Sequence, residues 1–220
     1  MTRGFRRARH DVRARLGDDE RRVLRDVFTE VYDLLEDPAA SEPAEQDPLA
    51  ALVGIGRTVR PPEDPALARL LPDAHRDDPE ASAEFRRYTE SELRARKRSG
   101  LRVALDTLAR PSPLRLDDTE AQAWLVALTD VRLVLAERMG LRTDDDHALL
   151  EQVAARLAEA EDDSDDLVVT AADESARGAT AAADAGRRLA MTLALYDFLA
   201  WLQETLVEAM AAALPDERGR

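Results

Sequence analysis

The 220-residue chain contains no cysteine. Disulfides, thiolate metal sites and thiol-based redox switches are thereby excluded, and a secreted origin gains no support. Only three histidines occur, and His10, His75 and His147 stand apart from one another. None belongs to an HExxH or Glu-x-x-His pair, so hydrolytic zinc and di-iron chemistry lack their ligands. Asp144 and His147 have ligand-like spacing, but they sit in what reads as a loop with no second half. A G-x-S-x-G elbow is missing, and Gly54-Ile55-Gly56 lacks the third glycine and the preceding strand of a nucleotide loop. Neither acidic run has the spacing of a calcium loop. Also missing is an uncharged apolar run of about 18 residues, the minimum for a membrane helix. Arg3, Arg6, Arg7 and Arg9 are followed by no apolar stretch of the kind a signal peptide needs. These absences predict a cytoplasmic protein with no catalytic, cofactor-binding or metal-binding residues to nominate.

What the chain does have is 45% hydrophobic and 35% charged residues, a net charge of −14 and a pI near 4.7. That is enough apolar material for one core. The acidity is uneven. Residues 1–110 carry 21 basic and 22 acidic side chains, and the remainder carries 10 and 23. Such a balance opposes direct gripping of nucleic acid, where cations must replace counterions.

Residues 5–16 begin basic and then alternate Val12, Ala14 and Leu16 with Arg13 and Arg15, the period of a half-buried strand. Their arginines could serve as a basic arm for an acidic partner, or simply face water. From 18 to 36 the period turns helical through Val23, Leu24, Val27, Phe28, Val31, Leu34 and Leu35, with Asp18 or Asp19 as the expected cap. A polar linker follows, then a short helix opened by Asp47 and Pro48. Asp64-Pro65 and Asp78-Pro79 repeat that cap-then-proline device. The second of them predicts a helix to about Ala109, with a weak point at Gly100.

The middle of that helix is polar nearly all round. Arg87, Arg94 and Arg98 form a ridge with Lys97 beside it, the best candidate in the sequence for meeting an acidic partner. The competing reading is a solvated face with Glu90–Arg94 and Glu92–Arg98 pairs.

Leu114 to Leu116 could be a strand pairing with residues 12–16. Asp117 and Glu120 form an acid-x-x-Glu box for a helix ending at Gly140. Its apolar stripe, from Ala121 through Trp124, Leu128 and Val131 to Met139, is interrupted by Arg132. A buried arginine cannot shed its charge, so either an ion pair with a carboxylate of the last helix is expected, Asp197 before Glu204 or Glu208, or a head that snorkels to the rim. Residues 143–186 read as an acidic insertion with a short helix through Leu149, Leu150, Val153 and Leu157, and with disorder near 160–180. The last helix, about 189–214, is apolar in so many directions that it should be the buried centre of a bundle.

Three segments carry a resemblance: PPEDPALARLLPDAHRDDPEASAEFRRYTESELRARKRSGLRVALDTL, LDDTEAQAWLVALTDVRLVLAERMGL and LYDFLAWLQETLV. They resemble an actinobacterial family long labelled a domain of unknown function and named for AosR, an oxidative-stress-responsive regulator. Members are commonly encoded beside the Clp adaptor ClpS. The resemblance implies a regulator acting through protein contacts, with a sigma factor, other transcription machinery or Clp components as partners. A cysteine switch cannot be carried over to a chain without cysteine, and Met139, Met191 and Met210, placed on apolar faces, are poor substitutes.

The expectation is therefore a mainly α protein. It is a single domain, 1–220, an irregular helical bundle around a buried C-terminal helix, with a small β element at 5–16 and 114–116. It is expected to be a non-enzymatic regulator, able to form homodimers. A DNA-binding transcription factor and a small-molecule or metal enzyme are the rivals.

Overall fold

The structure, a computed structural model, describes residues 2–36, 61–75, 77–159 and 172–212. The polar linker, the helix expected after Asp47 and residues 160–171 lie outside the described residues. The protein is mainly α with one small antiparallel sheet. In chain order the elements are β1 (Arg3–Arg7), β2 (Val12–Arg15), α1 (Asp18–Leu34), α2 (Pro65–Leu70), α3 (Pro79–Leu108), β3 (Leu114–Leu116), α4 (Asp118–Met139), α5 (Asp144–Glu159) and α6 (Ala172–Ala211). Contacts divide the chain into two compact units, residues 1–134 with 201–220, and residues 135–200. No helix among the described residues is long and apolar enough to cross a membrane.

The sheet has the order β1-β2-β3, with Arg6 opposite Arg13, Val12 opposite Leu116 and Arg13 opposite Arg115. Alternation decides its two faces. Phe5, Val12, Ala14, Leu114 and Leu116 are buried, while Arg3, Arg6, Arg13, Arg15 and Arg115 are exposed. At Gly4 a Cβ would stand 2.8 Å from the Thr205 side chain, so only glycine lets the strand approach α6 this closely. The Phe5 amide donates to Thr205 Oγ1 at 3.1 Å in the same place.

Helix starts follow the sequence signals with one change. Asp64 accepts from the Ala66 amide at 2.8 Å, and Asp78 accepts from the Ala81 amide at 2.9 Å. Asp117 and Glu120 exchange bonds of 2.8 and 3.1 Å as a full capping box. In α1, however, the cap is Gly17, whose amide donates to Glu20 Oε2 at 2.7 Å. Asp18 and Asp19 fall inside the first turn, where carboxylates still favour the helix dipole. Helix α3 runs unbroken through Gly100. Helix α4 ends where Gly140 takes φ 74°.

Trp124 lies fully buried at the heart of the first unit, with Phe5 and Phe28 edge-on at 5.5 and 5.4 Å. Its indole N–H donates to Thr107 Oγ1 at 2.7 Å, which satisfies the buried polar atom.

Two expectations change on helix α6. Residues 172–180, expected to be disordered, are its first turns. Alanine-rich sequence has the highest intrinsic helix propensity, and that outweighs low complexity. Farther along, Leu193, Leu199, Leu202, Leu206 and Ala209 are buried, whereas Trp201, Val207 and above all Met191, 76% exposed, are not. Between Leu199 and Ala209 the helix buries a single stripe, and with Met191, Trp201 and Val207 open to water it is not enclosed on all sides.

Candidate functional site

Helix α3 carries the residues singled out in the sequence, and two of the four turn inward. Arg94 is buried and grips Glu90 Oε1 with Nε at 2.9 Å and Nη2 at 2.7 Å, while Nη1 donates to the Glu36 carbonyl at 3.2 Å. Lys97 Nζ meets Asp130 Oδ1 of α4 at 2.6 Å. Arg98 lies over the Tyr32 ring of α1 at 4.3 Å, a cation–π contact. Arg87, half-buried, stacks 4.9 Å from the Tyr88 ring centre and donates to its hydroxyl at 2.9 Å.

Sequence reasoning missed Arg86, the buried hub of this surface. Its guanidinium reaches Glu90 Oε2 at 2.6 Å, Asp73 Oδ1 at 2.7 Å and the Leu71 carbonyl at 3.1 Å. Burial works against its charge, but the bonds to Glu90 and Asp73 outweigh that and raise its pKa. Arg86, Glu90 and Arg94 thus form an i, i+4, i+8 chain with the carboxylate shared between two arginines. The helical spacing was readable in the sequence; that the row faces inward was not.

Asp130 is likewise a buried group that no motif announced. Burial raises its pKa, Lys97 opposes the rise, and its Oδ2 has no hydrogen-bond partner among the described residues. Elsewhere, bonds from Arg110 lower the pKa of Glu120, and bonds from Arg7 lower that of Asp118.

Among the outward residues of α3, which include Glu84, Glu92 and Arg96, stand two aromatics. Phe85 and Tyr88 are 51% and 57% exposed. Beside them Leu71, Pro72, Thr89 and Leu93 help to line a shallow depression of about 40 Å³. A hollow of that size holds a water or the tip of a side chain, and no drug-sized ligand. Chemically the surface suits docking: two exposed aromatics, a stacked arginine and a notch beside them.

In the second unit His147 has its Nε2 2.9 Å from Asp197 Oδ1 and its Nδ1 3.9 Å from Glu151 Oε2. One ligand atom from each residue lies within 4.8 Å of the others, a donor set that could accept a first-row divalent cation. Among the described side chains the partners of His147 are Glu151 and Asp197; that of Asp144 lies outside them. Pairing across elements is invisible to spacing along one segment. Asp146, not a ligand here, caps α5 by accepting from the Arg142 and Thr143 amides, which lowers its pKa.

Arg132 donates to Gln203 Oε1 at 2.8 Å, and Gln203 Nε2 donates to Thr129 Oγ1 at 3.1 Å. Arg132 and Asp197 belong to different units, and the ion pair between them stays a proposal.

Comparison with known proteins places the chain in a family. The chain is 34% identical over 139 residues to the oxidative stress regulator AosR of Mycobacterium tuberculosis, covering 56% of this chain and 62% of that protein. It is 35% identical over 129 residues to the putative oxidative stress regulator AosR of Mycobacterium leprae, covering 51% and 58%. The alignments thus span less than two thirds of those relatives' length. No solved structure matches. The family profile of DUF2017 matches residues 2–210, nearly the whole chain, and the protein belongs to that family, described as a domain of unknown function.

Proposed function

We propose that the protein is a non-enzymatic, cytoplasmic regulator that acts through protein–protein contacts in the transcriptional response to oxidative stress. The naming of its relatives supports the regulatory half. The observation that carries the contact half is the exposed pair Phe85 and Tyr88, with Arg87 stacked on the tyrosine and a notch alongside. Aromatic residues and arginine dominate the energetics of protein interfaces. Arg94 and Lys97 hold the helix in place, and Arg87 with Arg98 remain to meet the partner, a component of the transcription machinery such as a sigma factor.

The test is binding of the purified full chain to purified RNA polymerase holoenzyme, free sigma factors and a DNA duplex across a salt series. Wild type should bind one protein partner, and Phe85→Ala/Tyr88→Ala should weaken it by about tenfold or more. Preference for the duplex with affinity falling steeply as salt rises would overturn the reading in favour of DNA binding.

A further inference from the structure

Five arginines share the outer face of the sheet. Cross-strand neighbours point to the same side, and the register sets Arg3 opposite Arg15 and the row Arg6, Arg13, Arg115 across all three strands. All five are exposed. Arg13 meets Asp11 at 2.8 Å, but the side chains of Arg3, Arg6, Arg15 and Arg115 make no hydrogen bond or ion pair with any described residue. Like charges directly opposite one another weaken a sheet. A chain of net charge −14 nevertheless sets five of its cations side by side here.

We propose that this face is a docking site for an extended, Asp/Glu-rich segment of a protein partner. Neighbouring strands stand about 4.8 Å apart and alternate residues along a strand about 6.7 Å apart, so Arg6, Arg13 and Arg115 are rooted in a row of the first spacing and Arg13 and Arg15 at the second, while a register shift separates Arg3 from Arg6. An extended peptide with acids at alternate positions projects carboxylates to one side at the same 6.7 Å spacing, roughly. Each guanidinium offers the planar fork that takes a carboxylate with two parallel bonds. Nucleic acid offers anions at comparable intervals but fits less well. The only aromatic residue in the described strands, Phe5, points into the core, so this face offers no ring to stack a base. The site stands whether or not the α3 surface binds its own partner.

The experiment uses the full chain and a fluorescein-labelled dodecapeptide with glutamate at alternate positions, read by anisotropy. Arg13→Glu/Arg115→Glu should weaken binding by about tenfold or more, while Arg22→Glu, an exposed arginine on α1, should leave it unchanged. A second pair, Arg13→Gln/Arg115→Gln, separates docking from folding. It should weaken the peptide while leaving the melting temperature equal to or above wild type, because it relieves like-charge crowding. Equal peptide binding by wild type and both double variants would overturn the proposal. So would loss of melting temperature in the glutamine pair, which would make the arginines structural, or tighter binding of a DNA duplex than of the peptide at the same salt.

Discussion

Lys97 and Asp130 bury a charge pair whose two halves are unequal. Asp130 is almost fully enclosed, while the lysine keeps a small opening to water. Removing only the cation strands a carboxylate in the core, so Lys97→Met should cost about 3–5 kcal/mol, read by urea unfolding. Replacing both groups, as in Lys97→Met/Asp130→Leu, should recover most of that loss, because neither desolvation penalty remains. The pH dependence has a definite sign. Burial holds the Asp130 pKa above its ordinary 3.8, so the native state keeps this proton longer than the unfolded chain does. Its contribution is greatest below the ordinary value and is lost as pH rises through the raised one. Glu120 behaves oppositely: Arg110 lowers its pKa, and its contribution is lost as pH falls. Subtracting the double variant's stability profile from that of wild type should leave a curve that declines with rising pH just above the ordinary carboxylate range.

Arg21 acts at the next scale up, where one element ends against another. It is buried on α1, and its Nη1 donates to the Leu108 and Arg110 carbonyls at 2.7 and 2.9 Å, closing the C-terminus of α3. Arg21→Met keeps the aliphatic bulk and leaves those carbonyls bare, so equilibrium unfolding should show a loss of about 1–3 kcal/mol. The β1–α6 junction offers a second test. Gly4→Ala drives a methyl group into the Thr205 side chain and should destabilise by about 1–3 kcal/mol. Adding Thr205→Ala should restore part of it, a coupling that a double-mutant cycle measures. Much at this scale was legible beforehand. Period-2 alternation marked β2, proline after aspartate marked α2 and α3, and the Asp117/Glu120 box marked α4. The inward turn of Arg86 and Arg94 was not legible, because a polar helix face looks the same in sequence whether it meets water or a carboxylate and carbonyls of neighbouring segments. The histidine cluster escaped for a related reason: Asp197 lies 50 residues from His147.

For the whole molecule, relatives named oxidative stress regulators and a chain without cysteine make a direct prediction. Brief exposure to hydrogen peroxide should form no mixed disulfide and no sulfenic acid. Among Met139, Met191 and Met210, an added oxygen should appear first on Met191, which is largely in water although an apolar face was expected for it. Peptide mass mapping reads the order, and earlier oxidation of Met139 or Met210 would contradict the exposure pattern.

The seat of β1 on α6 joins positions 200 residues apart, with Gly4 and Phe5 against Thr205. During synthesis the ribosome must therefore deliver about 200 further residues before β1 can complete its seat. At roughly 5–20 residues per second, that leaves the opening hairpin waiting on the order of ten seconds or more for its final neighbour. A chain truncated before residue 205 would keep the amide of Phe5 without its acceptor, and a nascent-chain protease assay should find β1 cut until the last helix has emerged.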